Sequence, residues 1–407
     1  WNPLGARPPG GGVPVDPGAD FTAAQVARED AFHAALRPWS LSALAVGVLV
    51  PVGLALTPWG ARLVTALARP LGGGWVWQVL LGVLGLTLLG RLASLPLSAR
   101  AEVVLRRYGL STQTWSSWLV DAAKSWAVST GLLLVVALVF YAVARATPHW
   151  WVWLSGAAAV LVLVVSFAYP VVVEPLFNKF TPMPAGQLRD SLVQMARTDG
   201  VPVRDVLVAD ASRRTTALNA YVSGFGATRR IVVYDTLLSG APPEQVRLVV
   251  AHELGHAKAN DVLYGSLVGA LAAAAAVPLL ALVLGSGPLL RRAGATGAGD
   301  PRSLALLLAT VAVVSLLTQP GQMLVSRHIE ARADVHALDL TRDPDTFVQM
   351  QRELAVTNLS DLDPPAPIYL WFGSHPTGPE RTAMARDWAL LHGQPVPPPL
   401  AAPAATR

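Results

Sequence analysis

The sequence predicts a mainly α protein: a multi-span bundle of transmembrane helices joined to a smaller α+β domain. Three observations predict it. Of 407 residues, 53% are hydrophobic and only 14% charged, with a mean hydropathy of +0.45. A soluble domain carries about 25% charged residues. Six apolar runs follow one another, at 41–56, 75–97, 126–143, 150–169, 262–284 and 304–325, and a span needs about 20 residues. Trp39, Trp59, Trp75, Trp77, Trp126, Trp150, Trp151 and Trp153 cluster at the edges of these runs, as an interfacial aromatic belt does.

The elements follow in order. Residues 1–20 are rich in Pro and Gly and read as a linker. The chain begins at Trp1 without a methionine and shows no signal-peptide pattern, which leaves room for a preceding segment, another span included. Thr22 and Gln25 have the spacing of a capping box and start a short surface helix to about Leu36. The first apolar run is short and holds Pro51. Between the second and third runs lies a polar connector, Arg106 to Thr114, followed by Trp118, Asp121 and Lys124.

Residues 171–260 form the first soluble segment. A stretch punctuated by Pro175 and Pro182 leaves the membrane. Leu188, Leu192 and Met195 share one face of a helix that Gly200 ends. Residues 206–209 read as a strand, and 217–224 with 229–234 as a hairpin. A second soluble segment follows the sixth run, which Pro320 punctuates. It holds a helix opened by Asp343-Pro344-Asp345, a Pro-rich loop at 363–367, and the loop Gly373-Ser374-His375-Pro376. The domains expected are 1–38 (linker and surface helix), 39–172 (spans one to four) and 173–260 (first part of the α+β domain). They continue with 261–325 (spans five and six), 326–393 (second part) and 394–407 (disordered tail).

Composition excludes several classes. With no cysteine, disulfides and thiolate metal sites are ruled out, and any metal must use His, Asp or Glu. The net charge of +5 is carried by arginine, since Lys124, Lys179 and Lys258 are the only lysines. No nucleic-acid-binding motif is present. The excess sets topology instead. Of 31 Lys and Arg, 24 fall in 1–38, 98–124, 171–260 and 326–407, which places the α+β domain in the cytoplasm.

The chemistry centres on His252-Glu253-Leu254-Gly255-His256, inside a helical run from about Pro243 that continues to Leu284. Helix positions i and i+4 share a face, so both imidazoles can hold one ion. Glu253 lies beside that ion, placed to take a proton from a polarised water. This is the H-E-x-x-H arrangement for zinc. Glu330, on a helix continuing out of the sixth span, is the third metal ligand. Asp334, one turn later on the same face, is placed to accept the free N–H of a ligand histidine. Arg327 and Arg332 stand near enough to pair with this acidic face. His328 and His336 are read as unliganded. His375 can donate to an oxyanion. The hairpin edge beside the zinc helix can take a peptide as an added strand.

Together these motifs resemble the type I CAAX prenyl protease family of integral-membrane zinc endopeptidases, over residues 75 to 390. The matching stretches are Tyr108–Thr114 with Asp121 and Lys124, Pro175–Pro182, Asn219-Ala220-Tyr221, Arg230–Leu238, His252–His256, Glu330 with Asp334, and Ser374-His375-Pro376 with Glu380-Arg381. The resemblance implies one zinc ion on His252, His256 and Glu330, with Glu253 as base. It implies a substrate cleft lined by Asn219 and His375, with Arg381 also binding substrate. It further implies a barrel of spans around a chamber, capped by a cytoplasmic gluzincin-type zinc peptidase domain. The partners implied are a peptide or protein substrate, prenylated or not, and the lipid bilayer of the cell membrane. Ala257 and Asp261 stand where eukaryotic members carry an aromatic residue and a further histidine. Here the sequence is closer to the bacterial heat-shock membrane protease, so membrane-protein quality control is the alternative. A non-catalytic receptor or transporter is a remote one, since no ligand and no base is lost.

Overall fold

The computed structural model describes residues 12–400, apart from 225, 227 and 228. Six of its helices are long and apolar enough to cross a membrane. They are α2 (Ala23–Ala55), α4 (Trp75–Arg107), α5 (Trp115–Ala146), α6 (Trp150–Ala168), α11 (Asp261–Leu284) and α13 (Leu304–Thr341). Each packs on the next around a closed ring. α2 touches α4, α4 touches α5, α5 touches α6, α6 touches α11, α11 touches α13, and α13 returns to α2. The expected barrel of spans is therefore present. A short α1 (Pro17–Asp20), α3 (Trp59–Ala68) and α12 (Gly287–Ala293) complete the helices up to α13, apart from those of the α+β domain.

Four of the spans have 32 residues or more and outrun the bilayer, α2 and α13 among them. α2 has 33 residues and α13 has 38, about 50 and 57 Å long, against a hydrocarbon core of about 30 Å. The excess projects into the α+β domain. The surface helix and first span expected as separate elements are one helix, α2, with Pro38 and Pro51 inside it. Packing against α4 and α13 along its length compensates for the backbone hydrogen bonds the prolines remove. Pro320 likewise lies within a continuous α13.

The α+β domain has a sheet of four strands, β1 (Phe180–Pro182), β2 (Asp205–Ala209), β3 (Ala220–Ser223) and β4 (Arg230–Tyr234), in the order β1-β2-β4-β3. β2 runs parallel to β4, and β3 and β4 form the expected antiparallel hairpin. Phe225, Ala227 and Thr228 of its turn lie outside the described residues. β3 is an edge strand. Around the sheet stand α7 (Glu174–Phe177), α8 (Gln187–Thr198), α9 (Asp235–Gly240), α10 (Pro243–Lys258), α14 (Pro344–Thr357), α15 (Ala366–Phe372) and α16 (Gly378–Leu391). Leu192, Val206, Ile231, Val233, Leu254, Leu338 and Phe347 belong to one buried core.

Three features depart from expectation. The helical run through His256 does not continue into the fifth span. It breaks at Asn260, whose φ of 56° is left-handed, a conformation asparagine tolerates better than most residues. Residues 12–21 are docked rather than a free linker. Gly12 and Val13 donate backbone N–H groups to Asp387 Oδ1 at 2.9 and 2.8 Å. Asp20 is buried against Thr382 Oγ1 (2.6 Å), Arg386 Nη1 (2.7 Å) and Arg352 Nε (3.0 Å). Residues 394–400, expected to begin a disordered tail, lie alongside. Leu400 N–H donates to Ala19 O at 2.6 Å, and Pro397 O accepts from Arg386 Nε at 2.9 Å. Prolines lack an N–H but keep the carbonyl, and buried arginine supplies the donors. Residues 401–407 of that expected tail lie outside the described residues.

Candidate metal centre

α10 begins with Pro243 at its first turn, where a missing N–H costs nothing. It then buries Val246, Val249, Val250 and Leu254. The face left over carries His252, Glu253 and His256. The two imidazole rings stand edge to face with centroids 4.8 Å apart. α13 packs across α10. Gly255 makes that approach possible: a Cβ there would meet His336 Cβ at 3.1 Å and Ala333 Cα at 3.2 Å.

This crossing brings Glu330 to the histidines. His252 Nε2 lies 3.1 Å from His256 Nε2 and 3.2 Å from Glu330 Oε2. His256 Nε2 lies 3.7 Å from Glu330 Oε1. One ligand atom from each residue falls within 4.8 Å of the other two. Ligands at about 2.0–2.1 Å in a tetrahedron stand about 3.3 Å apart, so the spacing fits.

The donor chemistry fits as well. His252 Nδ1 lies 2.8 Å from Asp334 Oδ1, and His256 Nδ1 lies 2.9 Å from Asp261 Oδ2. With each carboxylate accepting a hydrogen bond from Nδ1–H, the neutral rings present both Nε2 lone pairs to each other and to Glu330. Acceptors facing acceptors repel unless a cation lies among them. The pKa shifts report the same demand for positive charge, which a proton on Nε2 would meet in place of a cation. Burial pushes His252 and His256 down, yet the surrounding carboxylates overcome it and leave both raised, His256 to about 10 through Asp261 and Glu330. The residues present suit a divalent cation with N and O ligands.

The carboxylates are themselves held. Asp334 is fully buried and accepts Arg381 Nε at 2.7 Å, with a second, shorter contact from Arg381 Nη2. Asp261 pairs with Arg332. Arg381, expected at the substrate, thus spends its guanidinium on Asp334, although it also borders the cavity described below. Asp261 and Arg332 were not foreseen as partners. Asp261 follows His256 by five residues, and only the turn at Asn260 folds it back.

The loop carrying His375 is pinned from α13. Arg327 Nη1 donates to Tyr369 O at 3.0 Å and Gly373 O at 2.6 Å. Its far end enters the capping box of Thr377 and Glu380 that opens α16. His375 Nε2 then reaches Glu330 Oε2 at 3.2 Å. Ser374 Oγ lies 2.8 Å from His375 Nδ1. A serine donating to Nδ1 places the ring proton on Nε2, facing the cleft. Ser374 and Arg327 therefore orient His375, roles the sequence reading did not assign. His336 bonds Asp199 at 2.9 Å and His328 bonds Leu324 O at 2.8 Å, neither within the cluster.

A cavity of about 1010 Å³ opens at this centre. His252, Glu253, Asn219, Tyr234 and His375 line one side; Leu36, Leu41 and Leu44 of α2 line the other. Glu253 receives the backbone N–H of Val222 from the edge strand β3, and burial holds its carboxyl above the usual range.

A ring of spans closed over a half-buried His–His–Glu cluster, with the Glu253 carboxyl beside it on the wall of a cavity, defines a multi-pass membrane metallopeptidase. The profile described as "Peptidase family M48" matches residues 182–389, and the one described as "CAAX prenyl protease N-terminal, five membrane helices" matches residues 33–179. The chain belongs to peptidase family M48. It is 32% identical over 299 residues to the uncharacterized metalloprotease YhfN of Bacillus subtilis, covering 73% of this chain and 70% of that one. It is 33% identical over 297 residues to a CAAX prenyl protease 1 homolog of Arabidopsis thaliana, covering 72% and 69%. The crystal structure of S. mikatae Ste24p has the same fold, with a TM-score of 0.80 at 22% identity over 92% of this chain and 91% of that one.

The carboxylates behind the histidines lead to a test. Asp334→Asn and Asp261→Asn are each expected to weaken metal retention about 10–100-fold, measured by titrating purified protein with a chelator. Unchanged retention in both would refute the role given to these carboxylates.

Proposed function

We propose that this metallopeptidase is a zinc-dependent endopeptidase. In this reading it cuts extended peptides, CAAX-type prenylated peptides among them, on the cytoplasmic face of the cell membrane. The observation that carries the proposal is the convergence of two Nε2 lone pairs and Glu330 beside an edge strand. Two histidines and one glutamate, with no thiolate, are a catalytic zinc set that leaves a position open. The names of the plant and yeast relatives support prenylated peptides as substrates.

The bound ion's part would be to acidify a water and polarise the scissile carbonyl. The chain supplies the rest. Glu253 takes the proton of the attacking water and passes it to the leaving amine, a double task suited to a carboxyl whose pKa burial has raised. His375 donates its Nε2 proton to the developing oxyanion. β3 offers main-chain hydrogen bonds to an extended substrate, which favours many sequences equally, while Asn219 lines the cleft beside it. The leucines of α2 on the opposite wall suit an apolar side chain or a lipid tail, at about 0.8 kcal/mol per buried CH₂. A folded protein does not fit a cavity of about 1010 Å³.

Zinc analysis of the purified protein is expected to find about one ion per chain. Glu253→Gln should keep that ion and lose about 10²–10⁴-fold in kcat. Full activity in that variant would sink the mechanism.

A second reading, quality control of membrane polypeptides, is favoured by Asp261 standing where eukaryotic members carry histidine. One peptide, assayed with and without a farnesyl group, separates the two. Faster cleavage of the farnesylated form supports CAAX processing, and equal rates support quality control.

Orientation rests on the arginine bias. Because the chain has no cysteine, Glu244→Cys at the exposed start of α10 gives a single label site. It should react with an impermeant thiol reagent only after the cytoplasmic face is opened. Labelling in intact cells would reverse the orientation.

A further inference from the structure

Glu29 belongs to the part of α2 that projects beyond the membrane, about 18 Å of helix before the apolar run at 41–56. It is 2% exposed, and neither carboxyl oxygen has a hydrogen-bond partner among the described residues. A buried carboxylate is tolerated only when paired. Unpaired, the group keeps its proton instead. Burial, joined by the charges of Asp361 and Asp30 and opposed by Arg28, pushes Glu29 up to about 8.

The surroundings leave it without a counter-charge. Phe32, one turn on, packs with Val104 of α4 and Leu359 and stands edge to face with Tyr108 at 5.2 Å. The charged groups of these elements are spent on one another. Arg28 Nη2 donates to Tyr108 O at 3.3 Å, Arg106 Nε of α4 donates to Glu102 at 2.7 Å, and Arg37 pairs with Asp361. His33 lies 2.9 Å from Leu359 O through Nε2, and burial holds its pKa below the usual range, so the ring is neutral and donates there.

The same contacts lead to the cleft. α2 holds the loop 358–361 through His33 on Leu359 and Arg37 on Asp361. Leu359 has a φ of 48° and a buried side chain, a left-handed conformation that leucine keeps only where its surroundings impose it. Beside it, Asn358 Oδ1 accepts the N–H of Leu218 at 2.8 Å, and its Nδ2 donates to Leu218 O at 3.1 Å. Leu218 leads through Asn219 into β3. His33, Arg37, Asn358 and Asp361 line the cavity at the metal centre. The seat of Glu29 is thus joined to the start of the edge strand by direct contacts.

We propose that Glu29 is a proton-controlled latch on this cleft. With its proton, it lets α2 lie against the 358–361 loop, which holds the start of β3 in place. Without it, the carboxylate must reach water, and the like charges of Asp361 and Asp30 repel it. α2 then parts from the loop, Leu359 relaxes and the strand end loosens. The latch is closed at neutral pH and opens as pH rises. It regulates the site of the endopeptidase reading above and rests on that reading.

Because the chain has no cysteine, Asp363→Cys, exposed just past the loop, takes a single spin label. Its mobility is expected to rise from pH 7 to pH 9, across about 8, and to stay constant once Glu29→Gln is added. In unlabelled protein, KM for one extended peptide should rise about tenfold over that range relative to Glu29→Gln. One pH unit past a one-proton midpoint leaves about a tenth of the chains latched, and the apparent affinity falls by that fraction. Asp30→Lys, at an exposed neighbour, should move the label's midpoint to lower pH, and it tests the latch even where Glu29→Gln does not fold. A label immobile to pH 9.5, a transition that survives Glu29→Gln, a midpoint unmoved by Asp30→Lys, or a KM ratio that stays near one would each overturn the latch. The expected label transition without cleavage of any peptide would overturn the endopeptidase reading and leave the latch standing.

Discussion

Asp334 is a buried carboxylate, and such a charge is tolerated only when paired and hydrogen-bonded. It meets that condition through His252 on one side and Arg381 on the other. Three elements are thereby tied at one point: α10, α13 and α16. Removing either partner would leave an uncompensated charge in the core. The same contact places the His252 proton on Nδ1 and frees Nε2 for a metal. Stability and chemistry thus draw on one carboxylate.

Around that point, helix length sets the position of the site. α13 runs unbroken from the bilayer to Glu330 and Asp334, so the ligand geometry is referenced to the membrane without an intervening loop. α2 extends in the same way and presents Leu36, Leu41 and Leu44 to the cavity. Its N-terminal end is fastened to α16 through Asp20 and residues 12–13. The burial of Asp20 does not prevent its ionisation, because Arg386, Thr382 and Arg352 hold its carboxyl below the usual range. That cluster contributes stability above the unfolded pKa of an aspartate, and loses it as pH falls through the lowered value. A strap of charge-assisted bonds thus joins the first membrane helix to the helix that carries Arg381.

The residues that touch one another within one helical turn were legible in the chain. His252, Glu253 and His256 needed only the period of a helix, and Glu330 with Asp334 needed the same. The six apolar spans were legible because bilayer thickness imposes a minimum length. Element ends were harder to read. The continuous α2 contradicted two separate segments because Pro38 weakens a helix locally while packing against α4 and α13 restores it. The break at Asn260 was hidden because a single left-handed residue leaves no mark in hydrophobic periodicity.

The amino-acid sequence by itself determined the membrane setting and carried the proposed histidine–glutamate ligand set and base, since each depends on local spacing and composition. Asp334 was readable from its spacing to Glu330, but only the tertiary structure decided that Asp261, Arg332 and Arg381 stand behind those ligands. Asp261 and Arg332 are 71 residues apart, and Arg381 and Asp334 are 47 apart. Such pairs carry no shared periodicity, and their meeting is set by how helices cross. Whether a charge is spent or free depends on its neighbours in space, which packing alone fixes.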